Sequence, residues 1–547
     1  MAAPLRSAIF RRIWLASLLS HLGLFILGVG ASWAMTQMTR SAELVALVQT
    51  ALMLPIMLFS LAAGALADMH DRRVVGMVAL STALAGAAAL SVIARVGLID
   101  PATLLAFCFI IGTGMALFGP AWQASVSEQV PPETLPAAIA LNSISYNIAR
   151  SFGPALGGLI VSMAGAVGAF VCNAALYLPL LVVLWMWRRR TEPSRLPPER
   201  LRRAIVSGVR YVVHSPAIRV VLARTLLTGL IGGSVMALMP LIARDLLGGN
   251  AQTFGIMLGA FGVGAVVGAL NIPRIRARLG AEPSVRLCAL LMGTAMAVAA
   301  LSRNPFLTAP ALIVAGAAWM VAVALFNIGV QLSAPRWVEG RALATFQAAI
   351  AGGVALGAWF WGRVAQAWGV DAALLLSGVA MAASALLGLW LAMPSLAKTK
   401  DDPAEAIADP EVRLALTARS GPIVVEIEYR VDPAKARAFY GIMQRVQLTR
   451  QRNGAYGWSI ARELADPELW IERYHCPTWL DYLRQRNRAT QSERGLQEDA
   501  EAFHRGPGPV RIRRMLERPF GSVRWKDETP DRAVGDVLAI ENAAAGH

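Results

Sequence analysis

GALADMHDRR occupies residues 64–73, between an apolar run of residues 44–67 and another of 74–96. Each run is long enough to cross the hydrocarbon core of a bilayer, which takes roughly 20 residues. Gly64 and Ala65 allow helices to approach closely, and Asp68 can cap or pair at the mouth of a helix bundle. Arg72 and Arg73 suit an anchoring role at lipid headgroups. A short charged hinge between two long apolar runs makes this chain a membrane protein.

Outward from that hinge, runs of the same kind fall at about 13–35, 44–67, 74–96, 102–123, 137–162, 166–187, 217–243, 252–273, 284–302, 306–330, 342–366 and 370–394. Runs 137–162 and 342–366 are only moderately apolar, and twelve spans fit the charge pattern best. Across the 547 residues 56% are hydrophobic and 16% charged, against about 25% charged in soluble domains. Disorder, a fibrous protein and an ordinary cytosolic enzyme are excluded. Residues 1–396 hold 27 arginines and 12 acidic side chains, whereas 397–547 hold 24 basic and 23 acidic ones. The first stretch is a lipid-solvated body and the second a water-soluble appendage.

With the N-terminus inside, the cytoplasmic loops carry twenty arginines and the opposite loops four, namely Arg40, Arg95, Arg244 and Arg303. Arginine retained on one side sets orientation, with both termini cytoplasmic, and accounts for the net +16 without nucleic acid. The N-terminal MAAPLRSAIFRRIW reads as the start of a retained first span, not a cleaved leader. Cys108, Cys172, Cys288 and Cys476 show no CxxC spacing and imply neither a disulfide framework nor zinc. Between two groups of six spans lies 188–214, whose basic amphipathic helix sets Ile205, Val209 and Val212 on one face. It reads equally as a membrane-surface helix and as a plain linker.

An internal repeat supports the six-plus-six division. ALFGPAWQASVSEQVPPETL (116–135) and ALFNIGVQLSAPRWVEGRAL (324–343) share seven identities at an offset of 208, Gln123/Gln331 and Ser125/Ser333 among them. Paired six-span halves holding substrate between them are a common plan of secondary transporters.

The hinge resembles the loop signature of the major facilitator superfamily. Gly64, Leu66, Ala67, Asp68, Arg72 and Arg73 match it; Met69 and Asp71 stand where the pattern has Arg and Gly. RSFGPALGGLI (150–160), with Gly153, Pro154, Gly157 and Gly158, resembles the fifth-span motif associated with exporters. Gly153 and Gly157 form a small-residue ridge there, and Pro154 permits a bend. The longer stretch 118–160 is similar to the enterobactin-exporter-like branch, the transmembrane secretion effectors. LLAFCFIIGTGMALFG (104–119) departs from the pattern, lacking the arginine many proton antiporters of the superfamily carry. The resemblance implies alternating access and a proton as coupling ion, while that departure leaves the coupling route open.

Polar side chains inside apolar runs are expensive and single out candidates for cavity or coupling roles. They are His21, Asn142, Asn147, Arg150, Arg224, Asn327, Gln331 and Arg363, each weighed against simple helix-to-helix hydrogen bonding. Arg150 and Arg224 lie near enough the cytoplasmic end to snorkel. GVGAVVG (262–268) has nucleotide-loop spacing, yet sits inside a span without a preceding strand, so helix packing is its reading.

Beyond 398–411, a polar linker, the pattern changes. PIVVEIEYR (422–430) alternates as a strand, and 433–452 is a helix with Phe439, Met443 and Val446 on one face. Strands at 456–464 and 468–475, helices near 478–488 and 491–504, and a strand at 510–517 complete a β-α-β-β-α-β order. That order resembles the dimeric α+β barrel family that includes antibiotic-biosynthesis monooxygenases. His475 and His504 are its candidate catalytic or metal-binding groups, with packing or solvated roles as the plainer alternative.

The fold class is therefore an all-α membrane body of twelve helices in two six-helix bundles, plus a small α+β ferredoxin-like C-terminal domain. Boundaries fall at 1–187, 188–216, 217–396, a linker at 397–420, the soluble domain at 421–520 and a disordered tail at 521–547. The expected function is secondary active transport, a proton-coupled export of a small amphipathic, siderophore- or drug-like molecule across the inner membrane. The alternatives make the C-terminal domain an enzyme or a ligand sensor tethered to that body. A homodimer through that domain is expected as a partner; no cofactor, metal, catalytic residue or nucleic acid is.

Overall fold

Ser7, Ser41, Asp71 and Asp100 each accept a hydrogen bond from a backbone N–H two or three residues on, and at each a long apolar helix begins. The computed structural model describes residues 3–131, 134–187, 201–335, 338–394, 412–414, 416, 417, 419–487 and 490–517. The expected 521–547 tail and most of the 397–420 linker lie outside the described residues. Two compact units emerge: residues 1–205, 220–331 and 340–396, and residues 206–219, 332–339 and 397–547.

The first unit holds α1 (Ala8–Met38), α2 (Ala42–Met69), α3 (Arg72–Val96), α4 (Pro101–Ser125) and α5 (Leu135–Met186). Its later half holds α7 (Pro216–Leu241), α8 (Ala251–Leu279), α9 (Ala281–Leu301), α10 (Pro305–Ser333), α11 (Glu339–Trp368) and α12 (Val370–Ala383); α6 (Leu201–Val213) comes between α5 and α7 in the chain. Among the described residues eleven helical segments are long and apolar enough to span a membrane. The twelfth crossing is inside α5, which carries spans five and six without a loop. It breaks at Gly165, whose φ of 66° and ψ of −175° only glycine adopts without strain. Gly153 and Gly157 lie against Phe25 and Val29, whereas Gly23 lies against Asn173 and Gly30 against Ala169. The first limb thus runs parallel to α1 and the second antiparallel to it: the chain reverses at one residue.

Glycines also set the later half. A Cβ at Gly264 would run into the Ile313 carbonyl oxygen, and one at Gly316 into that of Phe261. The 262–268 run is accordingly the packing face of α8 against α10, as the sequence reading has it.

The C-terminal part is one antiparallel sheet in the order β2-β3-β1-β4. It is built from β1 (Ile423–Arg430), α13 (Ala436–Arg452), β2 (Tyr456–Arg462), β3 (Leu469–Cys476), α14 (Trp479–Asn487), α15 (Gln491–Glu501) and β4 (Arg511–Leu516). Consecutive elements follow the expected β-α-β-β-α-β order, with β1 and β3 central. Phe439, Met443 and Val446 are buried against Tyr429 and Tyr474, each contributing roughly 1.5–3 kcal/mol of apolar burial. The core also contains a charge. Glu472 is fully buried and accepts from Arg450 Nε at 3.1 Å, Trp458 Nε1 at 3.0 Å and the Tyr429 hydroxyl at 3.3 Å.

The central helix α6 departs from expectation. Its Val209 is exposed, whereas Gly208, Tyr211 and Val212 are buried. Arg452 of α13 lies over the Tyr211 ring at 5.3 Å, and Arg210 donates to the Gly454 carbonyl at 3.1 Å. Residues 206–213 therefore pack as part of the C-terminal unit, because an aromatic ring and a carbonyl give them better partners than an exposed valine row.

Candidate functional site

The hinge loop is held by contacts within the protein. Arg72 pairs with Glu128 at 2.9 Å, and Arg73 donates to the Leu184 and Trp185 carbonyls at 2.8 and 2.5 Å. Those carbonyls end the second limb of α5, where the helix dipole favours a cation. Asp71, the departure from the loop signature, caps α3 by accepting from Arg73 N at 2.9 Å. The side chain of Asp68 lies outside the described residues. A Cβ added at Gly64 would lie 3.9 Å from the Ala344 side chain of α11, and Ser60 donates to the Ala344 carbonyl at 3.2 Å. The loop and the first turns of α11 thus belong to one seam between the two halves.

Beside that seam is a cavity of 390 Å³. His21 of α1, Ser60 of α2, Gln123 of α4, Tyr146 of α5, and Arg341 and Gln347 of α11 supply its polar groups. Leu24, Ile56, Leu61, Phe118 and Trp122 supply its apolar wall. His21 and Tyr146 meet edge to face with centroids 5.3 Å apart. A mostly apolar chamber with a few fixed polar groups is how a site holds an amphipathic small molecule. Both halves line it, at the end of the bundle where Gly64 and the first turns of α11 lie.

At the other end the halves are tied together. Ala42 N donates to Gln366 Oε1 at 2.7 Å, Arg244 donates to the Thr36 carbonyl at 2.9 Å, and Arg363 pairs with Glu43 at 3.8 Å. The halves also meet closely at Gly158 of α5 and Gly255 of α8, where a Cβ on Gly158 would stand 2.5 Å from the Gly255 Cα. The fifth-span motif divides its labour: Gly153 and Gly157 pack on α1, and Gly158 packs on α8 across the seam.

The candidates separate accordingly. His21 lines the cavity, and its Nδ1 is buried with no hydrogen-bond partner among the described residues. Asn142 and the half-buried Arg150 lie one helical turn to either side of Tyr146; the side chain of Asn147 is outside the described residues. Four expected cavity residues are elsewhere. Arg224 does not snorkel: it is 3% exposed, pairs with Glu282 of α9 and donates to the Leu391 carbonyl at 3.1 Å. A buried guanidinium is stable there because Glu282 answers its charge. Gln331 Nε2 donates to Asn327 Oδ1 at 2.8 Å on the same helix, and Arg363 belongs to the far tie, stacked 5.9 Å from the Trp359 ring. Ser60, Tyr146, Arg341 and Gln347 were not singled out in the sequence. The spacing 142, 146, 150 puts three polar residues on one face of α5 and is the signal that finds Tyr146.

In the C-terminal unit the two histidines are apart. His475 pairs across the sheet with Val424 and lies 3.4 Å from Glu517, while His504 bridges Val431 and accepts from Arg430 N at 2.9 Å. Seven residues of strand separate those anchor points, roughly 23 Å at 3.3 Å per residue, so they share no site. Burial pushes the Cys476 thiol up to about 12, with Asp481 adding to the shift, which keeps it an un-ionised packing group. Among the described residues no group of three or more His, Cys, Asp or Glu is placed to hold a metal.

A family model described as transmembrane secretion effector matches residues 1–520. The multidrug efflux pump Tap of Mycolicibacterium fortuitum is 26% identical over 69% of this chain and 94% of its own. The enterobactin exporter EntS of Salmonella choleraesuis is 26% identical over 72% of this chain and 94% of its own. A crystal structure of the nucleoside transporter NupG superposes with a TM-score of 0.55 at 13% identity, over 70% of this chain and 99% of that one.

Proposed function

The chain belongs to the transmembrane secretion effector family of major facilitator transporters, and on that premise we propose that it exports a small amphipathic molecule, siderophore- or drug-like, with a proton as coupling ion. The family makes it a multi-pass membrane transporter of small molecules and not an enzyme. The observation that carries the substrate class is the cavity of 390 Å³ that both halves line, apolar in its walls and polar at a few fixed points. Its place beside the arginine-rich loops, with the far end tied, supports a form open to the cytoplasmic face of the inner membrane, both termini on that side. Accumulation of a panel of amphipathic compounds in cells with and without the protein tests the reading. Export that persists unchanged after an uncoupler dissipates the proton gradient overturns proton coupling; identical accumulation in both strains for every compound overturns export.

Two variants probe the machinery. Asp68→Asn is expected to insert at normal abundance and to lose at least about tenfold of its export rate, since it removes the loop signature's charge at nearly the same side-chain volume. Wild-type efflux by an abundant variant refutes that gating role. His21→Leu keeps an apolar wall but removes a titratable ring from the cavity. It is expected to abolish uncoupler-sensitive efflux while downhill movement of substrate continues, measured in proteoliposomes with and without an imposed pH gradient.

In the C-terminal unit the edge strands β2 and β4 each pair on one side only among the described residues. Exposed sheet edges invite pairing, which supports a homodimer through this domain; light scattering on the purified full chain reads it directly.

A further inference from the structure

The helix α6 ends at Val213, and α7, long and apolar enough to cross the membrane, begins at Pro216. The link between them reaches about 10 Å at full extension. It is drawn tighter than that, since Ser215 N donates to the Val212 carbonyl at 3.2 Å. The end of α6 is thus pinned beside the bilayer surface by its own chain.

Its two faces differ. Gly208, Tyr211 and Val212 are buried, and on that side the C-terminal domain is held, with Arg452 over the Tyr211 ring. From the flank Arg210 donates to the Gly454 carbonyl. Val206 and Val213 are each 50% exposed and Val209 38%. Their spacing of three and four residues sets them in one stripe on the opposite side.

Charge says what covers the stripe. Residues 188–219 contain nine arginines and two glutamates. A second copy of this segment would set arginine against arginine, and so would the other arginine-rich loops on its side of the membrane. Anionic headgroups answer the charge instead. Three valines make a thin apolar anchor, of the kind that holds only with a basic patch beside it. We propose that the Val206–Val209–Val213 stripe docks on an anionic lipid surface, so that α6 mounts the C-terminal domain on the bilayer.

The purified full chain in nanodiscs tests this, with phosphatidylcholine alone in one preparation and about one third phosphatidylglycerol added in the other. A benzophenone photoprobe at position 209 is expected to give adducts of phosphatidylglycerol mass in the anionic disc. Cross-links within the chain, or to a second copy, as the main product overturn the assignment. Amide hydrogen exchange over residues 206–213 is expected to be at least about tenfold slower in the anionic disc than in the neutral one. The difference should vanish at about 1 M salt, where the screening length is about 3 Å. Equal exchange in the two discs overturns the anionic surface.

Val209→Asp lies on an exposed face and is expected to keep its fold, checked by unchanged exchange in α7. It should bring α6 in the anionic disc to the neutral-disc rate; unchanged protection overturns the role of the stripe. Tyr211→Ala removes the ring beneath Arg452 and should quicken exchange over 450–456 while lipid adducts at position 209 persist. Unchanged exchange there overturns the mounting of the domain on α6.

Discussion

Gly158→Leu leaves a chain that reaches the membrane and exports nothing. A Cβ at this position stands 2.5 Å from the Gly255 Cα and 3.1 Å from the Ala251 carbonyl oxygen, both backbone atoms that cannot rotate aside. Ordinary overpacking costs about 1–3 kcal/mol because side chains yield. Here the yielding element would be a helix, so α5 and α8 separate. Alternating access needs that seam to close as well as to open, and a leucine wedge prevents closure. Gly255→Leu should behave in the same way from the other side. Gly28→Leu is the control, since nothing lies within 4 Å of a Cβ there, and it should transport normally. Efflux measured at matched abundance decides between these outcomes. Normal efflux by Gly158→Leu shows that the seam need not close.

How much of this was visible in the sequence depends on the range of the interaction. Twelve crossings were legible because each is a local matter of 20 apolar residues. The reversal inside α5 was harder, since a single glycine replaces a loop and nothing polar marks it. In the C-terminal domain, alternation in 422–430 and the Phe439–Met443–Val446 stripe gave strand and helix directly. The loop signature located the seam, but the roles of its arginines were decided by partners far along the chain: Glu128 is 56 residues from Arg72, and Leu184 is 111 from Arg73. Arg224 misled for the same reason. A lone arginine in an apolar run reads as a pathway residue until Glu282, 58 residues on, is seen beside it. The cavity was the least legible feature, because it is assembled from five helices by moderately polar residues such as Ser60 and Gln347 that no local pattern distinguishes.

Glu472→Ala is expected to loosen the C-terminal domain by about 3–5 kcal/mol, the usual cost of stranding one partner of a buried ion pair. Three donors lose their acceptor at once: the Arg450 guanidinium, the Trp458 indole and the Tyr429 hydroxyl. Burial pushes the Tyr429 hydroxyl well above its ordinary pKa, and the Glu472 charge adds to this, so the phenol stays a donor throughout the working pH range. The stranded Arg450 has the Tyr474 ring 4.9 Å away, which offsets only part of the loss. Hydrogen exchange at β1 and β3 amides in the full chain should quicken by about 10² to 4 × 10³, since each 1.4 kcal/mol is a factor of ten in the open population. Glu472→Gln keeps an acceptor at the same place and should show a smaller increase. An unchanged exchange rate in Glu472→Ala means that the pair's desolvation already cancels its attraction. Export by the same variant carries a second consequence. If the membrane body is complete by Pro394, as the repeat implies, efflux persists although the domain opens; loss of efflux in step with exchange makes the domain part of the transport cycle.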